Sequence, residues 1–143
     1  MTSSILRSSL TALACVGVFA LATPSMAAMI NFKAELKASA EVPPNDSKAT
    51  GAVTATYDTV TKTLTWKGSY KDLSGPATAA HFHSGEAGKN GGVAVPMAPA
   101  TSPLDGSATL TDAQEADLLA GKLYVNIHTA ANKAGEIRGQ LVR

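Results

Sequence analysis

Along most of the chain, apolar and polar residues alternate one by one. Ile30, Phe32, Ala34, Leu36 and Ala38 are separated by Asn31, Lys33, Glu35 and Lys37. A period of two predicts a β-strand with one face buried and one face wet. Val53, Ala55 and Tyr57 repeat the pattern against Thr54, Thr56 and Asp58, as do Leu64, Trp66 and Tyr70 against Thr65, Lys67 and Ser69. Threonine crowds these segments, and β-branched side chains suit a pleated surface. Residues 58–62 make a short connection, so the second and third segments are expected to pair as a hairpin. Further on, Ala80 and Phe82 face one way while His81 and His83 face the other. Val93, Val95 and Met97 form another run, which Pro96 demotes to an edge or an early end. Ala108 and Leu110 mark a brief strand. Leu123, Val125 and Ile127 alternate with Tyr124, Asn126 and His128. Ile137, Gly139 and Leu141 alternate with Glu136, Arg138 and Gln140.

One helix interrupts the strands. Thr111 suits an N-cap, and Gln114 three residues on completes a capping box. Asp112 and Glu115 favour the positive end of the helix dipole, and Gly121 is a natural stop. This short helix is expected to plug one end of the fold. Two loops separate the elements: residues 41–50, with Pro43 and Pro44, and residues 84–92, with Gly85, Gly88, Gly91 and Gly92. No internal repeat or heptad pattern is visible. Seven or eight short antiparallel strands with turns between them predict an all-β sandwich or barrel.

The first stretch has a different character. Arg7 precedes an uncharged apolar run over residues 10–22, and Ser25-Met26-Ala27 follows as a small-x-small pattern. Those features predict a secretory signal peptide over residues 1–27, with the domain in 28–143. The run is short for a membrane span, which needs about 20 residues. Cys15, the one cysteine of the chain, lies inside the signal. The exported domain would carry no thiol, so packing and backbone ladders must hold it. Loss of Arg7 leaves eleven basic residues against eleven acidic ones. A neutral chain offers no concentrated basic face for nucleic acid and no attraction to an anionic membrane. The expected location is periplasmic or secreted.

Candidate chemistry centres on His81, His83 and His128, the three histidines of the chain. On a strand, spacing of two puts both imidazoles of His81 and His83 on one face, with Cβ atoms about 7 Å apart. Two rings leaning inward can share one metal at ~2.0–2.1 Å. If the strand of His128 lies alongside, three imidazoles meet. The glycine-rich loop that follows His83 is placed to fold over such a site. Equally, histidines on the wet side of a strand need no function at all. Met97 is a soft donor suited to copper, but it continues the apolar series of Val93 and Val95 and reads as core. Tyr124 and Glu136 lie near His128 in the pattern and would support ligands or, more simply, face solvent. Glu86 reads as an exposed loop residue. Glu136 and Arg138 read as wet-face positions of the kind that pair across strands. Residues 84–92 do not form a phosphate-binding loop, because Lys89 precedes Asn90. No nucleophile elbow or triad is visible, so an enzyme acting on an organic substrate ranks third among the expectations.

Three separated motifs then carry a resemblance. Glu41-Val42-Pro43-Pro44 leads to Ala49-Thr50-Gly51, and His81-Phe82-His83-Ser84-Gly85 is followed by Gly88, Asn90 and Gly91. Leu123 to Thr129 reads Leu-Tyr-Val-Asn-Ile-His-Thr and precedes Gly135-Glu136-Ile137-Arg138-Gly139-Gln140-Leu141. Over residues 30–143 the chain resembles the CHRD domain, the chordin-type family, in its single-domain exported bacterial form. The resemblance implies a Greek-key antiparallel β-sandwich or barrel, immunoglobulin-like or Cu/Zn superoxide-dismutase-like. It also implies that the His-x-His strand lies near the Asn-x-His-Thr strand, so that His81, His83 and His128 match the family's histidines. Dismutase chemistry needs more ligands and a disulfide than this chain offers. Lys133 stands where the family often has proline, a departure expected to alter a turn only. The leading expectation is an exported metal-binding protein for storage, delivery or protection. Copper is the expected metal, because Cu(II) outcompetes Zn(II) for imidazole at equal geometry, and zinc is the alternative. The second expectation is a protein-interaction or structural module with a protein partner and no metal.

Overall fold

The computed structural model describes residues 26–143; residues 1–25, with Cys15 and most of the expected signal peptide of residues 1–27, lie outside the described residues. Eight strands follow in chain order: β1 (Met29–Lys37), β2 (Thr50–Asp58), β3 (Thr63–Lys71), β4 (Ala77–Ser84), β5 (Gly92–Pro96), β6 (Leu104–Thr109), β7 (Leu123–Thr129) and β8 (Ile137–Gln140). One α-helix among the described residues, α1 (Asp112–Leu119), precedes β7. The strands form one antiparallel sheet in the order β5-β4-β7-β8-β1-β2-β3-β6. The predicted hairpin of β2 and β3 is present, in register from Thr50↔Lys71 to Asp58↔Thr63. The chain crosses from one half of the sheet to the other between β3 and β4, between β5 and β6, and again through α1 between β6 and β7. Such crossings make the topology Greek-key rather than meander.

The sheet curls until it nearly closes into a barrel. Trp66 of β3 and Phe82 of β4 are far apart in the strand order, yet their rings meet edge to face at 5.1 Å. Val95 and Met97 from the β5 side and Leu104 from β6 join the same core, so both edges of the sheet reach one interior. Inward residues follow the alternation of the sequence: Phe32, Ala34 and Leu36; Val53, Ala55 and Tyr57; Leu64 and Trp66; Ala80 and Phe82 are all buried. Full burial of each large side chain stabilises by roughly 1.5–3 kcal/mol. Met97 is core, as its apolar run predicted. β5 is an edge strand ending at Pro96, where a missing N–H costs no ladder bond.

The helix forms as its caps dictate. Thr111 Oγ1 accepts from the Gln114 amide, and the Gln114 side chain accepts from the Thr111 amide. Gly121 ends it at φ +70°, and Leu118 reaches the core. The simple alternation fails on β7 and β8. Leu123, Val125 and Ile127 line the interior, but Tyr124, Asn126 and Arg138 on the opposite face are buried too. Loops cover that face. Glu41 bonds Asn126, Asn45 bonds the Glu136 carbonyl, and Arg138 bonds the loop of residues 86–90.

Candidate metal centre

β4 and β7 are neighbours, with His83 opposite Tyr124, His81 opposite Asn126 and Ala79 opposite His128. This register sets His128 diagonal to His81 on the outer face, while Phe82 and Ile127 point into the core. One nitrogen from each imidazole lies within 4.8 Å of the others. His81 Nδ1 and His128 Nε2 are 3.2 Å apart. Sequence spacing could align His81 with His83. Only the pairing of β4 with β7 brings in His128, 47 residues further along the chain.

Backbone carbonyls fix two of the three rings. His83 Nδ1 lies 3.0 Å from the Gly91 carbonyl, and His128 Nδ1 lies 3.0 Å from the Lys133 carbonyl. A carbonyl only accepts, so each Nδ1 carries the proton and donates. Each Nε2 is left with a lone pair directed at the cluster. His83 Nε2 is buried and has no hydrogen-bond partner. Burial holds the proton affinity of His81 below its ordinary value, with the neighbouring His128 adding to the effect. His83 is lowered by burial as well, against the pull of the Gly91 carbonyl. Both rings therefore favour the neutral form that binds metal.

The donor set fits a metal ion. Two nitrogens on one tetrahedral metal with bonds of ~2.0–2.1 Å sit about 3.3 Å apart, close to the 3.2 Å seen between His81 and His128. A buried acceptor without a donor costs about 1–3 kcal/mol, and a cation at His83 Nε2 would remove that cost. Outer groups that donate or accept at the second ring nitrogen are the usual way of orienting ligating imidazoles. Among the described residues, no carboxylate or thiol joins the three histidines.

The surroundings differ from the simplest reading of the sequence. Tyr124 is buried and lies flat against His83, with ring centroids 5.1 Å apart and an 8° interplanar angle. Arg138 is 2% exposed, and its guanidinium carbon sits 3.5 Å from the centre of the Tyr124 ring. Arg138 also donates to the Glu86 and Lys89 carbonyls and to Asn90 Oδ1. Gln140 bonds the Gly85 carbonyl, and the Tyr124 hydroxyl accepts from the Gly91 amide. The glycine loop is thus fastened to β7 and β8 and forms a fixed wall that supports His83. Glu86 is exposed, as expected, beside Lys89 and Lys122.

Glu136 is not a wet-face residue and does not pair with Arg138. It is 0% exposed. The hydroxyls of Ser47, Ser74 and Thr129 donate to it at 2.6 Å, and the Ser74 amide donates at 2.8 Å. Burial alone would raise its pKa, but these four donors pull it down to about 2. Glu41 has the opposite fate. Burial pushes its carboxyl up to about 7, against the nearby Arg138 charge and the Asn126 amide. Gly135 permits that contact: its φ is +139°, and a Cβ there would collide with Asn126 and with Glu41 Oε1. None of these roles has a signal along a single strand, because each depends on a loop folding over the outer face.

An antiparallel Greek-key barrel with three convergent imidazoles on the outer face of two adjoining strands defines the class. The family model for the CHRD domain matches residues 32–141, which span all three histidines, and the chain belongs to that family. No curated protein and no solved structure matches it. CHRD domains occur in extracellular proteins. No helix among the described residues is long and apolar enough to cross a membrane.

Proposed function

We propose that this CHRD-domain protein is exported and binds a metal ion, copper in the first place, through His81, His83 and His128, in storage, delivery or protection. The observation that carries the reading is the buried, unpartnered Nε2 of His83, held towards the other two rings by the Gly91 carbonyl. A second anchored ring, His128 on the Lys133 carbonyl, supports it. A bound metal would supply a Lewis-acid or redox centre. The chain's own part is to hold three imidazoles in place and to wall His83 off from water. Copper is favoured over zinc by its stronger affinity for imidazole.

Export would follow cleavage after Ala27. Residues 26–28 are exposed and precede β1. The Ala28 amide nitrogen donates to Thr59 Oγ1 at 3.1 Å, so a new amino terminus at Ala28 would find a partner in place.

Calorimetric titration with Cu(II) and Zn(II), beside a His81→Ala/His83→Ala double variant, tests the site. One-to-one binding in the parent and its loss in the variant are the expected results. Equal, weak binding by both proteins would overturn the metal reading and favour an interaction module.

A further inference from the structure

The most unusual charge in the described structure is Arg138. Its guanidinium is almost fully buried, yet every acceptor it reaches is neutral: two backbone carbonyls and the Asn90 amide oxygen. Among the described residues, no carboxylate lies within salt-bridge distance of it. Buried charges are ordinarily paired or metal-bound, because taking them out of water is costly. Glu41 is the acidic group that senses Arg138, and its own burial keeps it from ionising readily. With no carboxylate paired to it and the Glu41 carboxyl pushed up to about 7, the cation is incompletely compensated near neutral pH.

Its position gives that charge a target. Arg138 sits 3.5 Å from the Tyr124 ring, and Tyr124 lies flat on His83 at 5.1 Å. The three side chains come from β8, β7 and β4, neighbours in the sheet. They form a column from a fixed positive charge to the ring whose Nε2 faces the cluster. The histidines bring no negative charge, and among the described residues no carboxylate or thiolate joins them. A metal bound there keeps its full ionic charge close to Arg138.

We infer that the Arg138–Tyr124–His83 column biases this site towards monovalent copper over divalent ions. The inference rests on the copper reading above and names the oxidation state that site prefers. A unit charge within about 10 Å, at an effective dielectric near 20, changes the relative affinity for ions one charge apart by roughly tenfold. Three neutral imidazoles with no fourth side chain also suit Cu(I), which accepts three ligands readily. Charge, not ring geometry, carries the effect, so a lysine at position 138 should preserve it.

The test measures two affinities on the purified protein. Cu(I) is titrated anaerobically against a chromophoric chelator, and Zn(II) against a second chelator. The parent, Arg138→Gln and Arg138→Lys are compared. Arg138→Gln should bind Cu(I) about tenfold and Zn(II) about a hundredfold more tightly, so that the ratio of the two affinities shifts about tenfold towards Zn(II), and Arg138→Lys should keep the parent ratio. An unchanged ratio in a folded Arg138→Gln protein overturns the inference while leaving the metal site standing. Absence of binding by both ions in the parent overturns the site itself. Should Arg138→Gln fail to fold, the midpoint potential of the copper-loaded parent decides. A value above that of copper with free imidazole in the same buffer supports the bias, and a value at or below it refutes it.

Discussion

Glu136 shows what one buried side chain does here. Its carboxylate gathers hydroxyls from Ser47, Ser74 and Thr129, joining two loops to β7. With a folded pKa of about 2 against an ordinary 4.5, its contribution to stability is present above pH 4.5. It is lost as pH falls towards 2, because the unfolded chain takes up the proton first. Glu136→Gln should lower stability by roughly 2–4 kcal/mol at pH 7, since charge-assisted bonds are lost and hydroxyls are left unmatched. Urea denaturation from pH 7 down to pH 2 should show the gap between parent and variant closing. A gap that stays constant with pH would assign the loss to shape rather than charge. Neither this role nor the burial of Arg138 was legible in the sequence. Both positions alternate with Ile137 and Gly139 as wet-face residues do, and strand periodicity carries no word of a loop lying across the outer face.

At the scale of elements, periodicity was a sound guide where one face meets the core. Phe32, Ala34 and Leu36 of β1 and Leu64 and Trp66 of β3 lie inside as alternation requires. Capping chemistry was equally readable: Thr111 and Gln114 make both reciprocal bonds. Thr111→Ala should cost about 1 kcal/mol, measured as a shifted denaturation midpoint, and should leave metal affinity unchanged because α1 holds none of the three histidines. The partnership of His81 and His83 could be read from spacing alone, since both belong to β4. His128 could be joined to them only through the CHRD resemblance, because local pattern does not say which strands become neighbours. The β4–β7 register supplies that step.

For the molecule as a whole, closure depends on contact across the interior. Phe82→Ala should destabilise by about 3–5 kcal/mol, because it removes the ring that meets Trp66 across the barrel. Metal affinity should fall with it, since His81 and His83 flank Phe82 on the same strand. In the other direction, saturating copper should raise the melting temperature of the parent by mass action on the native state. The His81→Ala/His83→Ala variant should show no such rise. A matching rise in the variant would place the bound copper elsewhere.

The pairing of β4 with β7 has a consequence for timing. His83 and His128 stand on strands that are neighbours in the sheet but are separated along the chain by β5, β6 and α1, so the rings meet only when β7 docks beside β4. If the chain is exported as proposed, its extended form in a narrow pore would offer at most the His81–His83 pair. On the proposed export route, the compartment where the last strands dock, not the one where the chain is synthesised, would decide which ion the proposed site meets first.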